Sequence, residues 1–579
     1  MYYICTYVIL IIFINLTKPL VMNTFKSVVP LLLLAFLCLG KSPSFSANAK
    51  TKIKSATDTA QVFAPVIVKK APTNEASIIT IDGKHKIFFI NRPGPADQMM
   101  SETSVDGLSW EAPKVEFKLP GTSYYANQVL VDEKGTIHCV YHLWSKGDKG
   151  YRGRQLDLWY TRKKKGDAEW EKSRMIFVGY VGSHRNFMQL KSGRLVMSFA
   201  KAIPGKDFKP KDTKEVDFGF HETVSLYSDD NGESWKESNG IKIQIDPNKA
   251  TRYGAIEPTA IQLNNGKLWM LIRTNNGMLY DSFSADNGTT WSNPSPSSFI
   301  SSDSPAHFLK LRDGRLVVIF NMSQRWDIPN SYAFGGREVL HAAISSDDGK
   351  TWKGFREVLR THSTRKKGVR GDSGSAYPSA IENKDGKIVM VSGQGEDGAV
   401  VVFDPNWLTS YDSKIDAKTS ENWTLFGYEG TVKKNLKPNG VEFKADTAGL
   451  AFEAVWNFAA TTKGELSMQI QSLNKGNEFR MALTDHFSIS SDTAAYKQAM
   501  FSFDLGKQNK NGAIIPVTIK WDLKLGVAKV YIANKEKYNL KINKKSAFGI
   551  NYLRLGVHNA NKKELLGFLV KSAVVKSEK

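Results

Sequence analysis

Short apolar segments separated by polar turns run from about residue 60 to about residue 410. The segments are short runs rich in β-branched and aromatic side chains, and no segment repeats its apolar positions with a helical period. This pattern predicts an all-β region of short strands.

Six turns of the same kind punctuate this region. Each places a glycine after a polar residue between two apolar strands, as in "LKSGRLVMSF" and "LRDGRLVVIF", which is typical of a hairpin whose glycine takes the left-handed conformation. The six turns are Asp82-Gly83, Lys134-Gly135, Ser192-Gly193, Asn265-Gly266, Asp313-Gly314 and Asp385-Gly386. They predict six similar units.

A second repeat ends on tryptophan. The phrase Ser-x-Asp-x-Gly-x-Ser/Thr-Trp occurs at Ser228–Trp235, Ser284–Trp291 and Ser345–Trp352. Two degenerate copies end at Trp110 and Trp170, and the first, "TSVDGLSW", has Thr103 and Val105 where Ser and Asp belong. Repeats of about sixty residues suit a unit of four strands, so we predict a six-bladed β-propeller over residues 60–410. A β-helix would have far shorter repeats.

The pattern changes after Trp407. Residues 411–426 are polar and resemble a linker, and from residue 427 to 579 the strands become longer and alternate, as in "VTIKWDLKLGVAKVYIAN". We predict a β-sandwich of the lectin or laminin-G kind. Two roles are open for it, carbohydrate binding and structural support.

The first 49 residues have the features of a secretory leader. The apolar run Val28–Gly40 follows a short basic segment and precedes Ala47-Asn48-Ala49, which fits a signal-peptide cleavage site. Met22 would be the true start. We therefore expect a secreted or periplasmic protein without stable membrane insertion.

The composition and net charge of the chain limit the classes of partner that we expect for it. The chain has 41% apolar and 11% aromatic residues, as a globular protein does, and a net charge of +22, which falls by three to +19 without residues 1–49. Anionic partners would be attracted, but no basic stripe with interleaved aromatic residues indicates nucleic-acid binding. Cys139 is the only cysteine outside the leader, so no intramolecular disulfide can form. No motif indicates a metal or another cofactor, and the oligomeric state is open.

The tryptophan phrase resembles the Asp-box of the sialidase and BNR-repeat families. In those families it lies on the hairpin between the third and fourth strands of a blade and is a structural device. The resemblance extends over about residues 70–405 and implies the same propeller fold. It also implies a glycosidase that uses a tyrosine nucleophile activated by glutamate, because a carboxylate nucleophile would repel an acidic substrate.

Three residues stand where the resemblance implies the reacting groups. "YGAIEPTAIQL" nominates Glu257 as the base, "GSAYPSAIEN" nominates Tyr377 as the nucleophile, and "INRPGPADQMM" nominates Asp97 as the acid/base. A proton donor on one side of the sugar and a nucleophile on the other are what glycoside cleavage requires.

Arginines are the residues that bind a sugar carboxylate in this family. The resemblance implies this role for Arg273 and Arg337. The first arginine of the family triad is missing from "KKAPTNEASIITIDG", where Thr73 or Glu75 stands near its place. Arg185 or Arg252 would then supply a third cation from another blade.

Three functions are consistent with these residues. The first is an exo-glycosidase that removes a terminal acidic sugar through a tyrosine intermediate. The second is hydrolysis or elimination on another acidic or sulfated glycan. The third is a carbohydrate-binding propeller without catalysis. A glycan is the partner in all three.

Overall fold

The computed structural model describes residues 64–146, 155–203, 220–244, 254–324, 336–361, 374–394, 397–410, 423–426, 432–488 and 494–578. The proposed leader lies outside these residues. Among them, helix is limited to a 3-10 turn at Pro405–Thr409 and one α-helical turn at Ala495–Gln498, and antiparallel sheets form almost all the rest. The all-β prediction is confirmed. None of the described helices is long and apolar enough to cross a membrane.

Six four-stranded sheets follow one another from Val66 to Phe403. Sheet 1 contains β2 (Ser77–Ile81), β3 (Lys84–Ile90), β4 (Gln98–Ser104) and β5 (Lys114–Lys118). Sheet 2 contains β6 (Ser123–Val131), β7 (Ile137–Lys146), β8 (Gln155–Lys163) and β9 (Arg174–Phe177). Sheet 3 contains β10 (Asn186–Gln189), β11 (Leu195–Ile203), β12 (Phe220–Ser228) and β13 (Lys236–Glu237).

The next three sheets repeat the arrangement. Sheet 4 contains β14 (Ile256–Gln262), β15 (Leu268–Arg273), β16 (Met278–Ser284) and β17 (Ser295–Ile300). Sheet 5 contains β18 (His307–Lys310), β19 (Leu316–Phe320), β21 (Val339–Ser345) and β22 (Lys353–Arg360), with the short β20 (Ser323–Gln324) outside it. Sheet 6 joins β23 (Ser379–Glu382), β24 (Ile388–Ser392) and β25 (Ala399–Phe403) to β1 (Val66–Lys70).

The strand from the start of the region completes the last sheet. β1 pairs antiparallel with β25, from Val66 opposite Val402 to Lys70 opposite Ala399. This pairing covers an edge of the last sheet that would otherwise expose unpaired backbone groups.

The six glycine turns lie where the sequence predicts them. Each joins the first and second strands of one sheet, and each glycine has a positive φ, from 72° at Gly386 to 88° at Gly314. An L side chain rarely adopts this conformation, so glycine is the residue that closes these hairpins.

Neighbouring sheets share hydrophobic cores. One cluster joins sheets 1 and 2, and further clusters join 2 with 3, 3 with 4, 4 with 5 and 5 with 6. A sixth cluster joins sheet 6 back to sheet 1. Trp291 of sheet 4 is 5% exposed and packs in the cluster shared with sheet 3, as expected for an Asp-box tryptophan.

Each Asp-box is held by its own side chains. Asp286 Oδ1 accepts hydrogen bonds from Ser284 Oγ at 2.8 Å and from the Thr290 amide at 2.9 Å, and Ser284 Oγ accepts from the Gly288 amide at 2.8 Å. The same bonds recur around Asp230 and Asp347. The side chains of the motif therefore hold its own turn in place.

The copy ending at Trp110 is intact, contrary to our prediction. Ser104 and Asp106, not Thr103 and Val105, take the Ser and Asp roles, and the amides of Gly107 and Ser109 donate to them at 2.8 and 2.9 Å. This copy has one residue fewer between Asp and Gly, so alignment by fixed spacing misplaced its members.

Two larger sheets follow and share one hydrophobic core. The five-stranded sheet contains β26 (Trp423–Phe426), β29 (Phe452–Thr461), β31 (Asn477–Thr484), β33 (Phe501–Lys507) and β37 (Ile550–Asn559). The seven-stranded sheet contains β27 (Val432–Lys437), β28 (Gly440–Ala448), β30 (Lys463–Ser472), β34 (Ile514–Asp522), β35 (Val527–Ile532), β36 (Lys535–Lys541) and β38 (Leu565–Ser577). β26 lies within the segment that the sequence analysis assigns to a linker.

The five-stranded sheet packs on sheet 5. Asn551 Nδ2 donates to the Phe355 carbonyl at 2.9 Å, and the Phe355 and Phe548 rings stack with centroids 4.4 Å apart. The Glu357 amide donates to Asn457 Oδ1 at 3.0 Å. The two-residue β32 (Phe487–Ser488) also pairs with β20. These contacts are buried or partly buried, and they join the C-terminal sheets to the repeat region.

Candidate functional site

Tyr377 and Glu257 form a buried pair although 120 positions separate them in the chain. The Tyr377 hydroxyl donates to Glu257 Oε1 at 3.0 Å. Tyr377 lies just before β23 of sheet 6, and Glu257 is the second residue of β14 in sheet 4. The fold therefore brings together the two residues that the sequence nominates as nucleophile and base.

Both residues of this pair have a backbone that L residues rarely adopt. The φ angle is 67° at Tyr377 and 45° at Glu257, and Glu75 nearby has 53°. Such conformations cost about 1–3 kcal/mol each and persist where the surrounding structure enforces them, as it often does at functional sites.

Arg273 connects the pair to a second carboxylate. Its Nη1 donates to Glu257 Oε2 and, at 3.1 Å, to the Tyr377 hydroxyl oxygen. Its Nε donates to Asp303 Oδ1 at 2.7 Å. One guanidinium thus holds three groups in a fixed plane, and arginine suits this role because its donors form a rigid fork.

Arg337 reaches the same cluster from sheet 5. Its Nη2 donates to the Asp303 carbonyl at 2.8 Å and its Nη1 donates to Gln394 Oε1 at 2.7 Å. Its guanidinium carbon lies 5.5 Å from the centroid of the Tyr377 ring. Arg273 and Arg337 therefore converge on Asp303 and Tyr377. Their role in binding a substrate stays a prediction.

Arg185 supplies a third guanidinium. It is buried just before β10, its guanidinium carbon lies 5.3 Å from the Tyr377 ring centroid, and Nη2 donates to the Pro378 carbonyl at 2.7 Å. Arg252, the other residue nominated for this cation, lies outside the described residues.

Glu75 takes the place near which the family's first arginine would fall. It precedes β2 and is 1% exposed. Burial raises its pKa to about 8; Arg185 and the Ser183 hydroxyl oppose the rise and Glu257 adds to it. At neutral pH most of this carboxyl group is therefore protonated.

Burial controls the protonation of Tyr377 as well. It raises the pKa of the hydroxyl well above 10, Glu257 raises it further, and Arg273 and Arg337 lower it only in part. The free site therefore holds a neutral phenol, although two guanidinium groups lie close to it.

Asp97 lies apart from this cluster. It precedes β4 in sheet 1, is partly exposed and accepts a hydrogen bond from Asn91 Nδ2 at 3.1 Å. No hydrogen bond between described residues joins it to Tyr377, Glu257 or the arginines. Its role as the acid/base stays a prediction.

Five residues of the site share a position that the sequence analysis did not use. Glu75, Arg185, Asp303 and Tyr377 each lie in the turn that leads into the first strand of a sheet, and Glu257 stands at the start of one. Asp303 and Gln394 were not nominated. Polar residues directly before a first strand, as in "SSDSPAHFLK", would have pointed to Asp303.

The histidines around the site are neutral. Burial, with a smaller contribution from Arg185, lowers the pKa of His184 to about 3 and that of His307 to about 4. Three or more His, Cys, Asp or Glu residues suited to a metal do not cluster anywhere in the described ranges. The contacts described above join carboxyl, phenol and guanidinium groups.

Comparison with known proteins places part of the chain in a family. Residues 123–390 match the family described as BNR repeat-like domain. No curated protein matches the chain. Solved structures similar to it include a protein of unknown function from Dyadobacter fermentans DSM 18053, with 18% identity over 59% of this chain and 97% of that chain and a TM-score of 0.41. They also include Trypanosoma rangeli sialidase, with 14% identity over 87% and 91% and a TM-score of 0.38. Residues 123–390 thus match a BNR repeat-like domain, which confirms the BNR-repeat resemblance for this part of the chain.

Proposed function

We propose that this protein is a glycoside hydrolase that removes a terminal acidic sugar from glycans, with Tyr377 as nucleophile. The observation that carries the proposal is the hydrogen bond of 3.0 Å between the Tyr377 hydroxyl and Glu257, in a site lined by three guanidinium groups. A phenol paired with a carboxylate base is the arrangement that nucleophilic catalysis by tyrosine requires.

The reaction runs in two steps. In the first, Tyr377 Oη bonds to the anomeric carbon and its proton passes to Glu257, while the glycosidic bond breaks and Asp97 protonates the departing oxygen. In the second, Asp97 takes a proton from water, whose oxygen replaces Tyr377 on the anomeric carbon, and the phenol regains its proton from Glu257. Two displacements retain the anomeric configuration.

The charge of the site explains the choice of nucleophile. Arg185, Arg273 and Arg337 carry three positive charges, which attract an anionic sugar. A carboxylate nucleophile would repel that sugar, whereas the neutral Tyr377 does not. When Glu75 is protonated, the carboxylates of Glu257 and Asp303 balance two of these three charges. The one net positive charge that remains suits a single carboxylate or sulfate.

The architecture we infer is a six-bladed β-propeller followed by a β-sandwich accessory domain. The support is the order of the six sheets, the pairing of β1 with β25 and the cores that join each sheet to the next. In such a ring the starts of the first strands approach the axis at one end, where the site residues stand. We also propose export, on the leader features of residues 1–49.

A panel of fluorogenic glycosides tests the proposal. The purified protein should release fluorophore from acidic glycosides, and Tyr377→Phe should lower kcat/KM by at least about a thousandfold. Tyr141→Phe is the matched control, because Tyr141 is also buried but donates to Ser173 at 2.6 Å within another cluster. Binding of a glycan array without any turnover would instead indicate a carbohydrate-binding protein.

Glu75 favours a second candidate substrate. A buried carboxyl group near the place of the family's first arginine changes the donors offered to the sugar's anionic group. Uronic or sulfated sugars, cleaved by hydrolysis or elimination, therefore belong in the panel beside sialic acid. A product with an unsaturated ring, detected by ultraviolet absorbance, would identify elimination.

A further inference from the structure

Glu75 and Arg185 are buried together without bonding to each other. Each is 1% exposed, and they interact electrostatically. No ion pair or hydrogen bond joins these two described residues. Of the Arg185 nitrogens only Nη2 has a hydrogen-bond acceptor; Nε and Nη1 have none among the described residues.

The carboxyl group of Glu75 has spare hydrogen-bonding capacity as well. Neither oxygen makes a hydrogen bond of normal geometry, although the Ser183 hydroxyl is near enough to influence the group. Leaving a buried polar group in this state is unfavourable, because it has lost its hydrogen bonds to water without replacing them. Two such groups side by side indicate that something else bonds to them when the site is filled.

The hydrogen-bonding chemistry of Glu75 and Arg185 indicates which kind of ligand group can bond to both. Arg185 can only donate hydrogen bonds. Glu75 is surrounded by Arg185, Arg337, Glu257, Tyr377 and Ser183, and burial raises its pKa to about 8, so at neutral pH it offers a hydroxyl donor. A group that accepts from both is an oxyanion.

We propose that Glu75, as a neutral carboxylic acid, and Arg185 together bind the anionic group of the sugar. This inference rests on the proposed function and adds the residues that contact the anion and the proton that binding requires. Loss of the Glu75 proton would place a carboxylate against the ligand's own charge. Affinity for acidic sugars should therefore fall at alkaline pH, whereas affinity for neutral sugars should not.

Calorimetry of the Tyr377→Phe variant tests this without turnover. The ligands are N-acetylneuraminate and glucuronate, each compared with its carboxyl-reduced alcohol. We expect the Kd of at least one acid to rise about tenfold per pH unit above pH 8, and its alcohol to bind with a Kd independent of pH. Binding at pH 8.5 should take up protons, measured from the dependence of the heat on the buffer's ionisation enthalpy.

The second variant, Glu75→Gln, keeps a donor that cannot ionise. In this background the acid should bind with a Kd that changes less than twofold between pH 7 and 9.5 and without proton uptake. Glu111→Gln, at an exposed carboxylate of sheet 1, is the control and should leave the pH dependence unchanged. The proposal is overturned if the acids do not bind, or if their Kd is independent of pH in the Tyr377→Phe variant that keeps Glu75. It is also overturned if adding Glu75→Gln leaves the pH dependence of the Kd unchanged. Because no step measures catalysis, these outcomes are independent of whether Tyr377 is the nucleophile.

Discussion

Burial has more influence than nearby charge on the protonation of Tyr377 in this site. Tyr377 keeps its proton although two guanidinium groups lie close, because removing the hydroxyl from water penalises the anion. The left-handed backbone at Tyr377 and Glu257 then aims the phenol at its base. The sequence identified both residues through family context but gave no indication of their backbone conformation or of the buried Glu75, because burial depends on neighbours from other sheets.

Arg273→Lys should damage catalysis as well as binding. A lysine cannot bond Glu257, Tyr377 and Asp303 at once, so the nucleophile and base would lose their alignment. We expect kcat to fall about a hundredfold and KM for acidic substrates to rise. Arg194→Lys, at a more accessible pair with Asp229, is the control. Unchanged kcat with a raised KM would show that Arg273 only binds substrate.

Glu75→Gln should change how stability depends on pH. The pKa of Glu75 rises from its ordinary value of 4.5 to about 8 on folding, so the wild type loses stability as pH rises between these values. The variant lacks this loss. The free energy of unfolding of the variant minus that of the wild type should therefore be larger at pH 8 than at pH 4.5, by more than about 1.4 kcal/mol. Urea unfolding at several pH values measures the difference. Parallel profiles would mean that Glu75 ionises normally.

The elements of the repeat were largely predictable, because hairpin glycines and Asp-boxes are local devices. All six turns join first and second strands, and three Asp-boxes form the hydrogen bonds expected of them. The copy around Asp106 escaped recognition because it is one residue shorter. The clustering of site residues near the starts of the first strands was not predicted either, because it depends on how separate sheets are arranged.

Trp291→Ala tests the packing between elements. The indole is 5% exposed in the core shared by sheets 3 and 4, so its removal should cost about 3–5 kcal/mol. Phe283→Ala, 41% exposed in the same sheet, should cost less than half as much. Chemical denaturation of both variants gives the comparison. Equal losses would indicate that Trp291 is not an anchor between the sheets.

At the scale of the whole molecule, the C-terminal sheets are tied to sheet 5 by buried polar contacts. His341 Nε2 lies 2.6 Å from the Tyr552 hydroxyl, which also donates to Glu357. The sequence predicted two regions of different strand pattern but not the interface between them. His341 and Tyr552 are 211 positions apart, and nothing in the pattern of either region indicates that these two polar residues are in contact.

We expect the repeat region and the C-terminal sheets to unfold together. Calorimetry should show one transition, and Tyr552→Phe should lower its midpoint, because Glu357 and His341 lose a buried partner at a cost of about 1–3 kcal/mol. Tyr531→Phe, in β35 and outside this interface, is the control. Two separate transitions, with only one shifted by Tyr552→Phe, would contradict the coupling.

The central claim is that Tyr377 forms a covalent bond to the sugar. The direct measurement is mass spectrometry of the protein after reaction with a fluorinated analogue of the best acidic substrate, which slows release of the intermediate. The account predicts one sugar attached to the peptide that contains Tyr377 in the wild type, and no adduct in Tyr377→Phe. A sugar attached to another residue, or hydrolysis of the analogue with no adduct at any time, would contradict it.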